Sequence, residues 1–364
     1  MPDLRGGGAE RVNLDLAKGF TERGFNVEFV LRNAHGELIE IAETLGSIVD
    51  LKSPRVRSMI KPLKRYIAER RPDALLASMW PLTAIAIWAR DRSRHRCSAV
   101  LVEHGILSRQ YENRGALHSL ALRKSLRYAA QRANGVVGVS KGVADDLAML
   151  TGRDRGHFNV IYNPVPCPSA PSDRIRAHAE ALWDGGAGKR IISVGTFKLV
   201  KNQAMLIDAL AQLDDPEARL MLVGDGDLRG DLERHAKAKG VSDRVKFPGF
   251  QTELSAFYAS ADVFALASWR EGFGNVIVEA MNHGLKIVST DCPTGPREIL
   301  EDGKFGRLTK PGDAEQMAMG MAEMFTNPPD PDRQTSRAAQ FRPDIAIDAY
   351  LDLLFPENGH KVDG

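Results

Sequence analysis

At 364 residues the chain exceeds what one hydrophobic core usually organises, so two domains of ordinary size are expected. A hydrophobic share of 43% and a charged share of 26% exclude wholesale disorder, and no apolar run approaches the roughly 20 residues that a membrane-spanning helix needs. Three widely spaced cysteines, Cys97, Cys167 and Cys292, argue against a disulfide framework and a Cys-based zinc site.

With no charged-then-apolar signal pattern at the N-terminus, the expected location is cytoplasmic, with peripheral contact at the inner face of the membrane left open. The net charge of +2 hides an asymmetry: residues 1–165 carry 26 Lys and Arg against 17 Asp and Glu, and the remainder 23 against 30. A basic first half suits a membrane surface or an anionic acceptor, and equally a merely solubilising surface. Nucleic acid is not an expected partner.

In chain order, Gly6-Gly7-Gly8 reads as a turn opening a helix from about Ala9 to Arg23. A strand should precede such a turn, yet only Met1 to Arg5 stand before it, fewer residues than a central strand and its turn require. The first N-terminal strand is therefore expected to be missing, either because translation begins upstream of Met1 or because this half lacks a central strand. Further strands are expected at Asn26 to Leu31, Ala74 to Ser78, Ala99 to Glu103 and Gly135 to Val139. Between the first two, Lys52 to Arg71 holds eight basic residues against the single acid Glu69. Met59, Leu63, Tyr66 and Ile67 share one face there, as in a basic amphipathic helix that lies on anionic lipid, or in a solvated helix packed on its own sheet.

The prolines of Asn163-Pro164-Val165-Pro166-Cys167-Pro168 and Pro171 mark a boundary. It divides an N-terminal domain, 1–163, and a linker, 164–188, from a C-terminal domain, 189–340. In the second half strands are expected at Ile191 to Val194, Arg219 to Val223, Lys246 to Phe247, Val263 to Ala267 and Lys286 to Ser289. A terminal helix over 341–355, capped by Asp344, and a frayed tail over 356–364 complete the chain. Strands alternating with helices throughout make the fold α/β twice over, each half a Rossmann-like parallel sheet.

The most informative stretch runs from Ala265 to Met281. It reads as a strand, the loop Ser268-Trp269-Arg270-Glu271-Gly272-Phe273-Gly274, then a short helix capped by Asn275 and carrying Glu279. Such a loop offers backbone N–H groups and a helix N-terminus to a diphosphate, with Gly272 and Gly274 permitting close approach. Carboxylates such as Glu271 and Glu279 accept hydrogen bonds from paired hydroxyls, which suits a sugar and a ribose on either side of the diphosphate. A helix-borne pair of glutamates can equally be a solvated surface.

The spacing of Glu271 and Glu279 around Gly-Phe-Gly resembles the paired-glutamate motif of the retaining glycosyltransferases of family 4, also called group 1. The likeness extends through Lys286-Ile287-Val288-Ser289-Thr290-Asp291, Thr294-Gly295-Pro296-Arg297-Glu298-Ile299 and Gly312-Asp313. Upstream it includes Gly6-Gly7-Gly8-Ala9-Glu10-Arg11, Val137-Gly138-Val139-Ser140 and Ile161-Tyr162-Asn163-Pro164, and so covers nearly the whole chain. It implies the GT-B fold, two facing Rossmann-like domains with the donor in a central cleft. It also implies that Glu279 holds the ribose, that Glu271 aligns the donor sugar, and that Phe273 and Gly274 lend main-chain N–H groups.

After strand Ile191 to Val194 comes Gly195-Thr196-Phe197-Lys198-Leu199-Val200-Lys201-Asn202, where lysines can neutralise a departing diphosphate. The family usually places Arg directly after the glycine. Thr196 stands there, Lys201 matches the family lysine, and Lys198 is the expected substitute cation, without the bidentate geometry of Arg. In Glu103-His104-Gly105, His104 matches a family histidine near the donor sugar, and Gly7 and Gly8 are expected near the diphosphate or acceptor. Asp225-Gly226-Asp227 has the Asp-x-Asp spacing of metal-binding glycosyltransferases but sits in an ordinary strand-to-helix turn, so neither metal nor cofactor is expected.

The reading is thus a retaining transfer of a hexose-type sugar from a nucleotide sugar, UDP-linked by resemblance, to a hydroxyl of a glycan or lipid-linked acceptor in surface polysaccharide assembly. A catalytically inactive nucleotide-sugar-binding scaffold and a GT-B epimerase stand as alternatives.

Overall fold

A computed structural model describes residues 1–184, 189–326 and 330–356. The strands among them are β1 Glu28–Leu31, β2 Ser47–Asp50, β3 Ala74–Ser78, β4 Ser98–Glu103, β5 Gly135–Gly138 and β6 Asn159–Val160, then β7 Arg190–Val194, β8 Arg219–Val223, β9 Val245–Gly249, β10 Val263–Leu266, β11 Lys286–Thr290 and β12 Arg307–Thr309. Every strand pairing is parallel. The chain divides into one unit of Met1–Val165 with the residues from Phe341 onward, and a second of Pro166–Gln340.

The second unit is a single six-stranded sheet in the order β12-β11-β10-β7-β8-β9. Numbered within the unit this is 6-5-4-1-2-3, the doubly wound order whose direction reverses between β7 and β10. Its strands are short apolar runs, as expected where helices cover both faces. Met205, Leu206 and Leu210 of helix Gln203–Gln212 and Met317 and Met321 of helix Ala314–Thr326 share one buried cluster with Leu220, Leu222, Val263, Ala265 and Val288 of the sheet. Full burial of such side chains is worth roughly 1.5–3 kcal/mol each, so this cluster is the main anchor of the sheet.

The first unit holds a four-stranded sheet, β3-β4-β5-β6, and a separate pair, β1-β2. Helix Gly8–Glu22 begins directly after the glycine run, with Gly7 as its N-cap. The terminal helix Pro343–Leu354 packs against it. At Gly19 an added Cβ would lie 1.9 Å from Ile347 Cδ1, so any larger residue would force the Ile347 side chain to move. Arg23 pairs with Asp348 at 2.5 Å, and the rings of Phe25 and Phe355 stack with centroids 5.1 Å apart. The terminal helix thus belongs with the first unit although the chain has passed through the second.

Several sequence expectations change. Within 164–188, helix Asp173–Ala181 is ordered, and Trp183 is fully buried with Nε1 donating to Ser260 Oγ at 2.8 Å, so this stretch is part of the second unit and not a free linker. Residues 185–188 and 357–364 lie outside the described residues. The terminal helix is capped by Arg342, with Pro343 at its first position, and not by Asp344. β2, β6 and β12 are not anticipated, because they are short and only partly buried and so lack the apolar runs that mark the other strands. In the basic segment, helix Ile60–Arg70 buries Leu63, Tyr66 and Ile67 against Leu82, Ile85 and Ala89. The apolar face is used inside the unit, as in a helix packed on its own domain, and what remains exposed is the basic face.

Candidate active site

The crevice of a doubly wound sheet lies beyond the carboxyl ends of the two strands that flank the reversal. Here those strands are β7, which leads into Gly195–Asn202, and β10, which leads into Ala267–Gly274. The two loops are tied together: Trp269 N–H donates to the Val200 carbonyl at 2.8 Å. Lys201 closes a one-turn 3-10 helix after β7, and its Nζ donates to Glu271 Oε1 at 2.7 Å. The same carboxylate oxygen accepts from Ser268 Oγ at 2.6 Å. Glu271 is only 10% exposed and Lys201 26%, so the pair is screened far less than a surface ion pair.

A second layer fixes the backbone of Glu271. Thr294 Oγ1 donates to the Glu271 carbonyl, and Thr290 Oγ1 donates to the Ser268 carbonyl at 2.7 Å, which anchors the loop to β11. Burial and the nearby Glu271 charge push the Cys292 thiol up to about 12, so it is held as an unreactive thiol. Gly295 has φ +88°, and a Cβ there would lie 1.8 Å from the Phe273 carbonyl oxygen. Gly224 has φ +140° and would drive a Cβ to 2.1 Å from the Gly195 carbonyl oxygen. The loops after β7, β8, β10 and β11 are therefore packed backbone against backbone.

Helix Asn275–Asn282 follows the β10 loop and is capped by Gly274 in the left-handed region at φ +107°, whereas Asn275, the expected cap, is its first residue. Gly274 brings no side chain to cap this end, the Ile277 N–H donates to the Gly274 carbonyl at 2.9 Å, and the terminus carries the partial positive charge of the helix dipole. Phe273 is fully buried, so it contributes main chain and packing rather than an exposed ring. Glu279 lies on the second turn, and its Oε2 accepts from Tyr258 OH at 2.8 Å. Tyr258 stacks on His283 at 5.3 Å, and His283 contacts the Glu279 carbonyl and Ser255 Oγ, both at 2.9 Å. A Tyr258-His283-Ser255 brace thus aims Glu279. No part of it was anticipated, because its members lie apart in sequence and carry no motif.

The structure joins Lys201 and Glu271 directly. Lys198, at the N-cap of the same 3-10 turn, is exposed to solvent. His104, Gly7 and Gly8 belong to the first unit. His104 follows β4, where burial pushes its imidazole down to about 4, and its Nε2 is buried with no hydrogen-bond partner among the described residues. The preceding Glu103 is 2% exposed and accepts from Trp80 N–H and Thr83 Oγ1, both at 2.9 Å; burial raises it to about 7. Glu103 was seen only as part of its tripeptide, since burial cannot be read from one acid after an apolar run. Asp225 is engaged by the Gly226 N–H and by Arg229, and among the described residues no three acidic, His or Cys side chains converge as a metal site.

The description "Glycosyl transferases group 1" matches residues 180–341, and "Glycosyltransferase Family 4" matches residues 6–167. The chain belongs to the family 4, group 1 glycosyltransferases. The two matches follow the two structural units closely. This glycosyltransferase is 29% identical to the lipopolysaccharide core biosynthesis glycosyltransferase LpsE of Rhizobium meliloti (strain 1021), over 96% of each chain. It is 24% identical to the amylovoran biosynthesis glycosyltransferase AmsD of Erwinia amylovora, over 82% of this chain and 81% of that one. Among solved structures it is similar to Anabaena Alr3699/HepE in complex with UDP, with a TM-score of 0.80 and 24% identity over 97% of this chain and 99% of that one. The apo form of the lipopolysaccharide outer core galactosyltransferase WaaB gives a TM-score of 0.73 at 19% identity. The fold of the glycosyltransferase is therefore GT-B, with two Rossmann-like α/β domains. No helix among the described residues is long and apolar enough to cross a membrane.

Proposed function

We propose that the enzyme transfers a hexose-type sugar, with retention, from a UDP-linked donor to a hydroxyl of a glycan or lipid-linked acceptor in surface polysaccharide assembly. The observation that carries the donor assignment is the Lys201–Glu271 pair at the reversal point of the second sheet, in the loops that lead into helix Asn275–Asn282. The likeness to HepE, solved with UDP, and to relatives named for lipopolysaccharide and amylovoran synthesis, supports the donor and the pathway class.

In this reading Glu279, aimed by Tyr258, takes the ribose hydroxyls, and the main chain at Phe273 and Gly274 together with the helix start takes the diphosphate. Lys201 lies against Glu271 before donor binds; on binding, the ammonium would share its donors with the phosphate while Glu271 accepts from a sugar hydroxyl. Both are charge-assisted hydrogen bonds made between groups already in place, so little is spent on ordering them. The bond from the sugar's anomeric carbon to phosphate oxygen breaks, the acceptor oxygen bonds to the same face of that carbon, and the acceptor proton passes to the departing phosphate. Lys201, with Lys198 and the helix terminus, stabilises the charge left on the diphosphate without a metal. His104 is neutral near pH 7 and so can accept or donate one hydrogen bond to a sugar hydroxyl, using the Nε2 that has no partner among the described residues. Peripheral membrane contact through Lys52 to Arg71 would be electrostatic only, given the burial of its apolar face.

Incubating the purified enzyme with UDP-hexoses and an acceptor extract tests this reading, with proton NMR of the product reporting the anomeric configuration. Transfer with the donor's configuration kept, and undiminished by a chelator, is expected. Inversion, or loss of turnover on chelation, contradicts the mechanism.

A further inference from the structure

The first unit contains a cavity that sugar transfer does not use. It measures about 760 Å3 and lies at the amino ends of β4 and β5, whereas the crevice of a doubly wound sheet lies beyond the carboxyl ends of its strands. Its wall comes from the start of β4, from the residues just before β5, and from the end of helix Leu82–Ser93 with the loop after it. Four arginines, Arg90, Arg94, Arg96 and Arg132, line it against one carboxylate, Asp91. The volume is that of a small-molecule site, and a cleft lined by one sign of charge focuses its field on an incoming counter-ion.

Two of the four arginines have an ordinary structural reason. Arg90 Nη2 lies 3.1 Å from Asp91 Oδ1 and donates to the Arg132 carbonyl at 2.7 Å. Arg132 Nε lies 3.3 Å from Asp91 Oδ2, with its guanidinium 4.0 Å from the centre of the Tyr128 ring, and Tyr128 OH donates to the same carboxylate at 2.8 Å. One negative charge thus serves two cations, and Arg90 also stands in the last turn of its helix, where the dipole favours a cation. Arg94 and Arg96 differ. Both are exposed, and neither guanidinium has a hydrogen-bond or ion-pair partner among the described residues.

The loop that carries them is set by the protein itself. Ser93 Oγ donates to the Arg90 carbonyl at 2.7 Å and accepts from His95 N–H at 3.1 Å, while His95 Nε2 lies 2.8 Å from the Pro72 carbonyl. Arg94 closes the helix in the left-handed region at φ +65°. Two neutral donors belong to the same wall. Ser98 Oγ is buried with no partner among the described residues. Asn134 Oδ1 accepts from Ala99 N–H at 2.9 Å, which leaves its Nδ2 as the end of the amide with no partner among the described residues. The lining is therefore rich in donors and poor in acceptors, the complement of an anion.

We propose that this cavity binds a soluble small molecule through two or more phosphate groups, with Arg94 and Arg96 as its principal contacts and Arg90, Arg132 and Ser98 behind them. Guanidinium groups meet phosphate oxygens with paired, charge-assisted N–H bonds. A soluble ligand is favoured over a membrane because the cations line a concavity between a helix end and two strand ends, which a flat lipid surface does not enter. The occupant is neither sugar donor nor acceptor: His104 follows the carboxyl end of β4 and the cavity lies at its amino end, and six residues of strand separate the two by roughly 17 Å.

The test is amide hydrogen exchange of the full chain, resolved to short segments, with inorganic pyrophosphate as the probe at matched ionic strength. UDP is present throughout, so that diphosphate sites elsewhere are occupied beforehand. Saturable slowing at residues 94–98 and 132–135 is expected, with the half-saturating concentration raised about tenfold or more in a chain carrying both Arg94→Ser and Arg96→Ser. Those side chains are exposed and unpartnered, so this variant should keep the parent's melting temperature. If it does not fold, Ser98→Ala is read instead, with half-saturation raised about threefold or more. Absence of slowing at those segments, or equal half-saturation in parent and variant, overturns the proposal. Slowing by phosphatidylglycerol vesicles with none by pyrophosphate also overturns it, since the occupant would then be a lipid surface.

Discussion

The two units use one architectural plan and differ at its centre. In the second, β7 occupies the middle of the sheet, pairs on both sides with β8 and β10, and delivers Lys201 to Glu271 across the reversal point. In the first, β1 and β3 stand at the edges of two separate sheets, and among the described residues no strand pairs with both. The difference lies in how the loop is positioned: a strand held from both edges carries the loop of the candidate donor site in the second unit. The glycine loop of the first unit, Gly6–Gly8, is instead tied by a few bonds from Met1, Leu4 and Gly6 to β1, His35, Leu38 and Glu37.

The largest expected effect falls in the second unit. Replacing Glu271 or Lys201 with Ala should lower kcat by about 100- to 1,000-fold, the range for one removed transition-state donor, with the fold retained and the melting temperature lowered by the unpaired charge left behind. The double variant should be about as slow as either single one, because the two side chains act as a unit. Near-normal turnover in either single variant would break the link between central strand and chemistry.

A stability effect of the next rank is expected at Gly295. Gly295→Ala forces both a left-handed backbone and a clash with the Phe273 carbonyl, which should cost about 3 kcal/mol. Urea denaturation would show it, and unchanged stability would mean that the donor loops are looser than described.

The smallest effect concerns pH and the first unit. The Glu103 carboxyl is raised from 4.5 to about 7, so in that window the folded state holds a proton that the unfolded chain has lost, and this group's contribution to stability falls as pH rises. The His104 imidazole is lowered from 6.5 to about 4, so the unfolded chain holds the extra proton there and the contribution rises with pH. The two slopes oppose one another where the windows overlap. Relative to the parent chain, Glu103→Gln should make the slope of stability against pH more positive and His104→Gln should make it more negative, as read from denaturation midpoints across the overlap. A shift of the slope in the same direction in both variants would refute these assignments.

The sequence was most legible where chemistry and periodicity coincide. β3 and β8 were bounded correctly from their apolar runs between polar flanks, and Glu271 and Lys201 were singled out from loops that directly follow such runs. Asn275 was misplaced as a cap because Asn and Gly are both good caps and only the left-handed φ of Gly274 distinguishes them. The brace on Glu279 was invisible because it joins a short helix, Ser255–Ala259, to the end of another through side chains 21 to 28 residues apart. The terminal helix was found, but not the unit it joins, since a contact such as that between Gly19 and Ile347 spans nearly the whole chain and leaves no local pattern.

The most direct test of the donor site is hydrogen exchange with and without UDP, resolved to single loops. The predicted result is slowed exchange at Gly195–Asn202, at Ser268–Asn275 and at Gly295, with the slowing reduced in Lys201→Ala. Protection by UDP that spares those three segments would contradict the placement of the donor at the ends of β7 and β10.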